Sequence, residues 1–326
     1  MSQVGELLAA RYRVESRIAD TAWMASDERS QRPVVLKQLP AASDEQVRQW
    51  ALRGGLTAAR MEHPNIVAVH ELIKHGEVPL LVMEYFPARS LATALAERGT
   101  LPVAEAAAIG AQAAAALAAA KDAGVVHGAV EPGTVLLGGG GAAKLTDFGL
   151  PGEANAPAGR PAFLAPEVAR GHAPTSASDV FSLGATLHAT IEGAPPFGSG
   201  TDNPLAVLHE AAAGIVPPAP HAGPAAPILA RMMHEDPAAR PRPQQVRELL
   251  RALLDGQPVP THFPAADGVT QPMPAVPAQP PERTDLPRSG AEQQEPAPNP
   301  ARHLVRYAPL LLAVVIIVVV VLILVQ

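Results

Sequence analysis

The chain has 326 residues, 48% of them hydrophobic, which is enough apolar material for one large two-lobed core or two ordinary ones and reads as a globular protein with appendages. A formal charge of −6 with only 17% charged residues leaves no basic footprint for nucleic acid, and the absence of cysteine excludes disulfides, thiolate metal sites and a cysteine nucleophile. The missing cysteine is compatible with a reducing cytoplasm without establishing it.

The amino-terminal stretch MSQVGELLAARYR has no basic run leading into an apolar one, so no secretory signal is expected. Tyr12, Val14, Ser16 and Ile18 alternate with Arg13, Glu15 and Arg17 at the period of a half-buried strand. The next stretch, Ala19-Asp20-Thr21-Ala22-Trp23-Met24-Ala25, contains no glycine and predicts an ordinary short hairpin. Val34-Val35-Leu36 is an apolar run closed by Lys37. A helix is expected from Ser43, where Gln46 completes a capping box, but Gly54 and Gly55 in its body cost about 1 kcal/mol each relative to alanine. After His63-Pro64-Asn65-Ile66-Val67 comes a buried strand from Leu80 to Tyr85. Helices follow from Ser90 to Arg98 and from Pro102 to Asp122, closed by Gly99 and Gly124. The second is so rich in alanine that periodicity does not show its buried face.

The segment Val125 to Leu150, VVHGAVEPGTVLLGGGGAAKLTDFGL, carries His127 and then Asp147-Phe148-Gly149. It is followed in order by Ala165-Pro166-Glu167, by Ser178-Asp179-Val180-Phe181-Ser182-Leu183-Gly184 and by Asp236-Pro237-Ala238-Ala239-Arg240-Pro241. This ordered set resembles the protein kinase family, in its bacterial serine/threonine branch, over residues 11–255. The resemblance implies an α+β, two-lobed protein-kinase-like fold, with a small β-rich N-lobe over about 11–84 and a larger helical C-lobe over about 88–255. It gives Lys37 the place of the lysine that pairs the nucleotide phosphates, and Asp147 that of the magnesium ligand. It gives His127, Phe148, Gly149, Glu167, Asp179 and Arg240 scaffold places, with Glu167 and Arg240 as an ion pair and Asp179 supporting the catalytic loop.

Against the kinase loop H-R-D-L-x-x-x-N, Gly128 stands for the arginine, Ala129 for the catalytic aspartate and Thr134 for the metal-binding asparagine. The glycine-rich phosphate loop is missing, and the position of the helix glutamate that pairs with Lys37 falls on Gly54, so Lys37 is expected to lack its partner. Residues 150–164 contain no Ser, Thr or Tyr to phosphorylate, and Arg160 replaces a threonine that contacts the catalytic aspartate. No intact catalytic set is expected. No cofactor is required, with weak Mg-ATP binding through Lys37 and Asp147 as the alternative.

Residues 256–303 are a proline-rich stretch, twelve prolines falling in 257–303, that reads as a disordered linker able to span roughly 40 to 140 Å. Its two P-x-x-P matches, Pro274 to Pro277 and Pro277 to Pro280, read as accidents of composition. Residues 308–325 are 18 apolar residues, about 27 Å of helix, and predict a single transmembrane span. Arg302 and Arg306 just before it keep the amino-terminal domain cytoplasmic. The expected protein is therefore a membrane-tethered pseudokinase that binds or regulates a cytoplasmic or membrane protein partner in signalling. The rivals are an atypical ATP-dependent serine/threonine kinase with weak or non-standard activity, and a decayed remnant.

Overall fold

Alternation in the first strands and alanine in the long helix determine how this chain layers. The computed structural model describes residues 3–39, 59, 61–76, 78–149, 161–198 and 203–257. The chain divides into units 1–275 and 276–326, and only the first contains described residues. The helix expected from Ser43, with Gly54 and Gly55, the segment 150–160 with Arg160, the linker beyond residue 257 and the apolar run 308–325 lie outside the described residues.

The amino-terminal lobe is a six-stranded antiparallel sheet of β1 (Leu7–Leu8), β2 (Tyr12–Ala19), β3 (Ala22–Asp27), β4 (Arg32–Gln38), β5 (Val69–His75) and β6 (Val78–Glu84), ordered β1-β2-β3-β4-β6-β5. Tyr12, Val14, Trp23, Ala25, Val34, Leu36, Leu80 and Val82 form its buried face. The alternation in β2 holds only for its first half. Register shifts between Val14 and Ser16 and between Arg17 and Ala19 throw the strand out of phase, and Ile18 is 53% exposed rather than buried. The sheet curls until its two edges meet. Arg11 Nη1 donates to Glu71 in β5 at 2.7 Å, Tyr12 Oη donates to the same carboxylate, and Glu6 lies 3.1 Å from His75. Arg11 also grips Asp27 with two bonds of 2.7 Å, which hold that carboxyl well below the usual carboxylate range.

The second lobe begins with β7 (Ala88–Ser90), α1 (Leu91–Arg98) and α2 (Val103–Asp122). Ser90 caps α1 by accepting from the Thr93 amide at 3.1 Å. Strands β8 (Val135–Gly138) and β9 (Ala143–Leu145) join β7 in a three-stranded sheet. They precede α3 (Pro166–Ala169), α4 (Ser176–Glu192), α5 (Pro204–Ala213), α6 (Ala226–Met232) and α7 (Pro243–Leu254). Among the described helices α2 alone is long and apolar enough to cross a membrane, yet most of it is buried in this lobe. It packs against α4 and α7, with Ala106, Ala107, Ala111, Ala113, Ala114, Ala116 and Ala120 all buried. Burial on several sides removes the stripe that periodicity looks for, and small side chains let the three helices approach. At Gly110 a Cβ would sit 2.7 Å from Leu187 Cδ1 and 2.9 Å from Leu250 Cδ1.

The lobes meet where β9 lies against residues 65–67. The Leu145 amide donates to the Asn65 carbonyl at 2.8 Å, and the Val67 amide returns a bond to Leu145 at 2.9 Å. The Asn65 side-chain amide reaches the Ala143 carbonyl at 2.9 Å and Gln112 of α2 at 3.1 Å. This seam sets Asp147 opposite Lys37.

Candidate functional site

The loop from His127 to Thr134 is held from below. Asp179, fully buried in α4, accepts the amides of His127 and Gly128 on its two oxygens, both at 2.8 Å. Thr175 starts α4 with a reciprocal capping box to Ser178, and this fixes the turn that carries Asp179. Gly128 has φ 77, a left-handed conformation that glycine takes without Cβ strain. His127 turns its ring onto Phe148, with centroids 4.4 Å apart, and its Nδ1 accepts the Ala129 amide at 3.2 Å.

Ala129 presents only a methyl group at the loop's tip. Thr134 is buried, and its hydroxyl donates to the carbonyls of Ala129 and Glu131 while accepting the Glu131 amide, all at 3.0 to 3.1 Å. That hydroxyl staples the loop to itself. Nothing in the sequence pattern signals this role, because it depends on the loop's closure over Thr134.

Lys37, in β4, does have a partner. Its Nζ lies 2.5 Å from Asp147 Oδ2, with the two side chains 27% and 18% exposed. The place of the helix glutamate, position 54, lies outside the described residues, and the partner that the structure shows for Lys37 is Asp147, which the seam brings within reach. Asp147 holds φ 69, an uncommon conformation for a side-chain-bearing residue, and the Gly149 amide donates to the His127 carbonyl at 3.2 Å. A second pair crosses nearby, where Lys144 of β9 donates to both oxygens of Glu84 in β6, at 2.6 and 2.8 Å. Sequence spacing gives no signal for that pair.

Above the site, β2 and β3 are joined by the two-residue turn Asp20–Thr21. Arg17 closes it, donating to the Ala19 and Asp20 carbonyls and, at 2.8 Å, to the Asp20 carboxylate. Below the site, Arg240 forms a fork with Glu167 at 2.6 and 2.8 Å and donates to the carbonyls of Ala177, His234 and Glu235. Its guanidinium lies 4.9 Å over the Phe181 ring.

Burial pushes the Asp179 carboxyl up to about 7, against the pull of its two amides, and lowers the His127 imidazole to about 4. A raised Asp179 means that the native state keeps a proton the unfolded chain has released. Its contribution to stability is full below about pH 4 and is lost as the pH rises through about 7. A lowered His127 contributes fully above about pH 6.5, and that contribution is lost as the pH falls through about 4. The two slopes oppose each other between these limits. Relative to wild type, Asp179→Asn should therefore gain stability as the pH rises, and His127→Gln should lose it, each by at most about 1.4 kcal/mol per pH unit. Denaturant titrations across this range measure it, and parallel profiles for all three proteins would refute both assignments.

A sheet lobe over a helical lobe, with a buried aspartate holding the loop at their seam and an Asp-Phe-Gly turn beside it, is the architecture of a protein kinase domain. The chain belongs to the protein kinase family, whose protein kinase domain matches residues 21–250, more than two-thirds of its length. It is 37% identical over 234 residues to the serine/threonine-protein kinase PkaA of Streptomyces coelicolor, covering 68% of this chain and 42% of that protein. It is 33% identical over 255 residues to PkaB of the same organism (72% and 60%), and 34% identical over 218 residues to PknL of Mycobacterium tuberculosis (63% and 54%). The chain spans about half the length of these relatives.

Proposed function

We propose that this chain is a pseudokinase: a kinase-shaped cytoplasmic module, held at the membrane, that binds or regulates a protein partner and does not transfer phosphate. The observation that carries the reading is the catalytic loop, where Ala129 offers no base and the Thr134 hydroxyl is taken up by the loop's own backbone. Magnesium and ATP serve the family generally, but the groups here do not fit the metal. Magnesium demands near-octahedral oxygen ligands. Among the described residues of the loop and the Asp-Phe-Gly turn, the one acidic group in a metal-binding place is Asp147, and it faces the Lys37 ammonium. The scaffold contacts among the described residues, by contrast, are made, with Asp179 under the loop and Arg240 on Glu167. Intact support beneath absent chemistry favours a binding surface over an atypical kinase or a decayed remnant. Purified full-length chain with radiolabelled ATP tests this, and labelling that disappears in Asp147→Ala would overturn it.

In this reading residues 11–255 are the folded module, 256–303 a linker and 308–325 a single span with Arg302 and Arg306 on the cytoplasmic side. Removing residues 304–326 is expected to shift the protein from the membrane to the soluble fraction without lowering its melting temperature. Protease added to intact cells should leave the module uncut. Cleavage there would reverse the topology.

A further inference from the structure

Lys37 and Asp147 are joined, although little is left around them that would use either one for phosphate or metal. Their contact of 2.5 Å is mostly shielded from water. Asp147 is held in its left-handed conformation by what flanks it, Phe148 against the His127 ring and the Gly149 amide on the His127 carbonyl. A magnesium ion entering here would approach an ammonium of like charge, and among the described residues of the loop and the turn it would meet one carboxylate in a metal-binding place, Asp147, while the Thr134 hydroxyl is turned into its own loop. The Lys144–Glu84 pair, at 2.6 Å, crosses the same seam in the opposite sense. One lysine reaches from the sheet lobe to a carboxylate of the helical lobe, and the other reaches back.

We propose that the Lys37–Asp147 ion pair takes the place of the magnesium nucleotide as the tie between the lobes, holding the site closed without metal or ligand. The proposal rests on the non-catalytic reading above. It makes the pocket a strut of the scaffold: β4 is fastened through Lys37 to the turn after β9, and a nucleotide phosphate would compete with Asp147 for the Lys37 ammonium.

The test is thermal melting of the full-length chain in detergent, as wild type, Lys37→Ala, Asp147→Ala and the double variant. Each is measured alone, with millimolar magnesium chloride, with ATP and with both. Each single variant is expected to melt about 2 to 4 °C lower, the scale for losing one partly shielded pair in a domain of this size, and the double variant no lower than the weaker single. None of the additions should raise the wild-type melting temperature, whereas a ligand at 100 times its Kd would do so clearly. Additive single effects would overturn the proposal. So would a wild-type rise with magnesium, or with magnesium and ATP, and that arm holds even if a variant fails to fold. Phosphate transfer assayed on the same wild-type sample separates the two levels. A magnesium-dependent rise without transfer removes the strut and leaves the non-catalytic reading standing, and transfer removes both.

Discussion

Arg240→Ala is expected to lower the melting temperature by roughly 10 °C or more, at a cost of about 3 to 5 kcal/mol, because it strands the carboxylate of a pair withdrawn from water. The Arg240 side chain is 0% exposed and that of Glu167 only 14%. Removing the arginine also leaves the carbonyls of Ala177, His234 and Glu235 without their donor, and empties the space over Phe181. The loss is a large share of a domain stability of roughly 5 to 15 kcal/mol, so the cellular level should fall with it. Glu167→Ala should fall in the same range, since it strands a cation of higher burial. Lys37→Ala removes a pair that is more open to water and should cost several-fold less. Melting curves of the three variants decide the order. A silent Arg240→Ala beside a collapsed Lys37→Ala would show that the upper pocket, not the lower clasp, carries this fold.

Restoring Asp at 129 and Asn at 134 in one chain is expected to leave phosphate transfer at the level of an Asp147→Ala control. A positioned general base is worth about 10² to 10⁴ in rate, and two residues return only that and one metal ligand. The turn between β2 and β3 would still be Asp20–Thr21, closed by Arg17 on the Asp20 carboxylate and without the glycines that let backbone amides cradle phosphates. Lys37 would still face Asp147. Replacing Thr134 also removes the hydroxyl that closes the loop, so the new Asp at 129 would sit on a looser backbone. Radiolabel incorporation into the protein and into a generic basic substrate measures this. Transfer in the restored chain that vanishes on adding Asp147→Ala would mean that the remaining architecture was catalytically competent throughout.

What the sequence determined by itself was the ordered scaffold. Strand and helix ends rest on local chemistry, such as Ser90 capping α1, Pro243 opening α7 and alternation at Tyr12 and Val14, and they are legible wherever that chemistry acts within a few residues. The missing groups were legible for the same reason, since an absent aspartate at 129 is a fact of one position. The tertiary structure alone decided who meets whom. Ile18 faces water because bulges shift its strand, and α2 is buried on several sides because α4 and α7 close on its alanines. Lys37 finds Asp147 across 110 residues, Lys144 finds Glu84 across 60, and the Thr134 hydroxyl finds the carbonyls of its own loop. These pairings depend on the angle at which two lobes are set and on how one loop folds back. No spacing along the chain encodes such distances, because each arises from the packing of many residues at once.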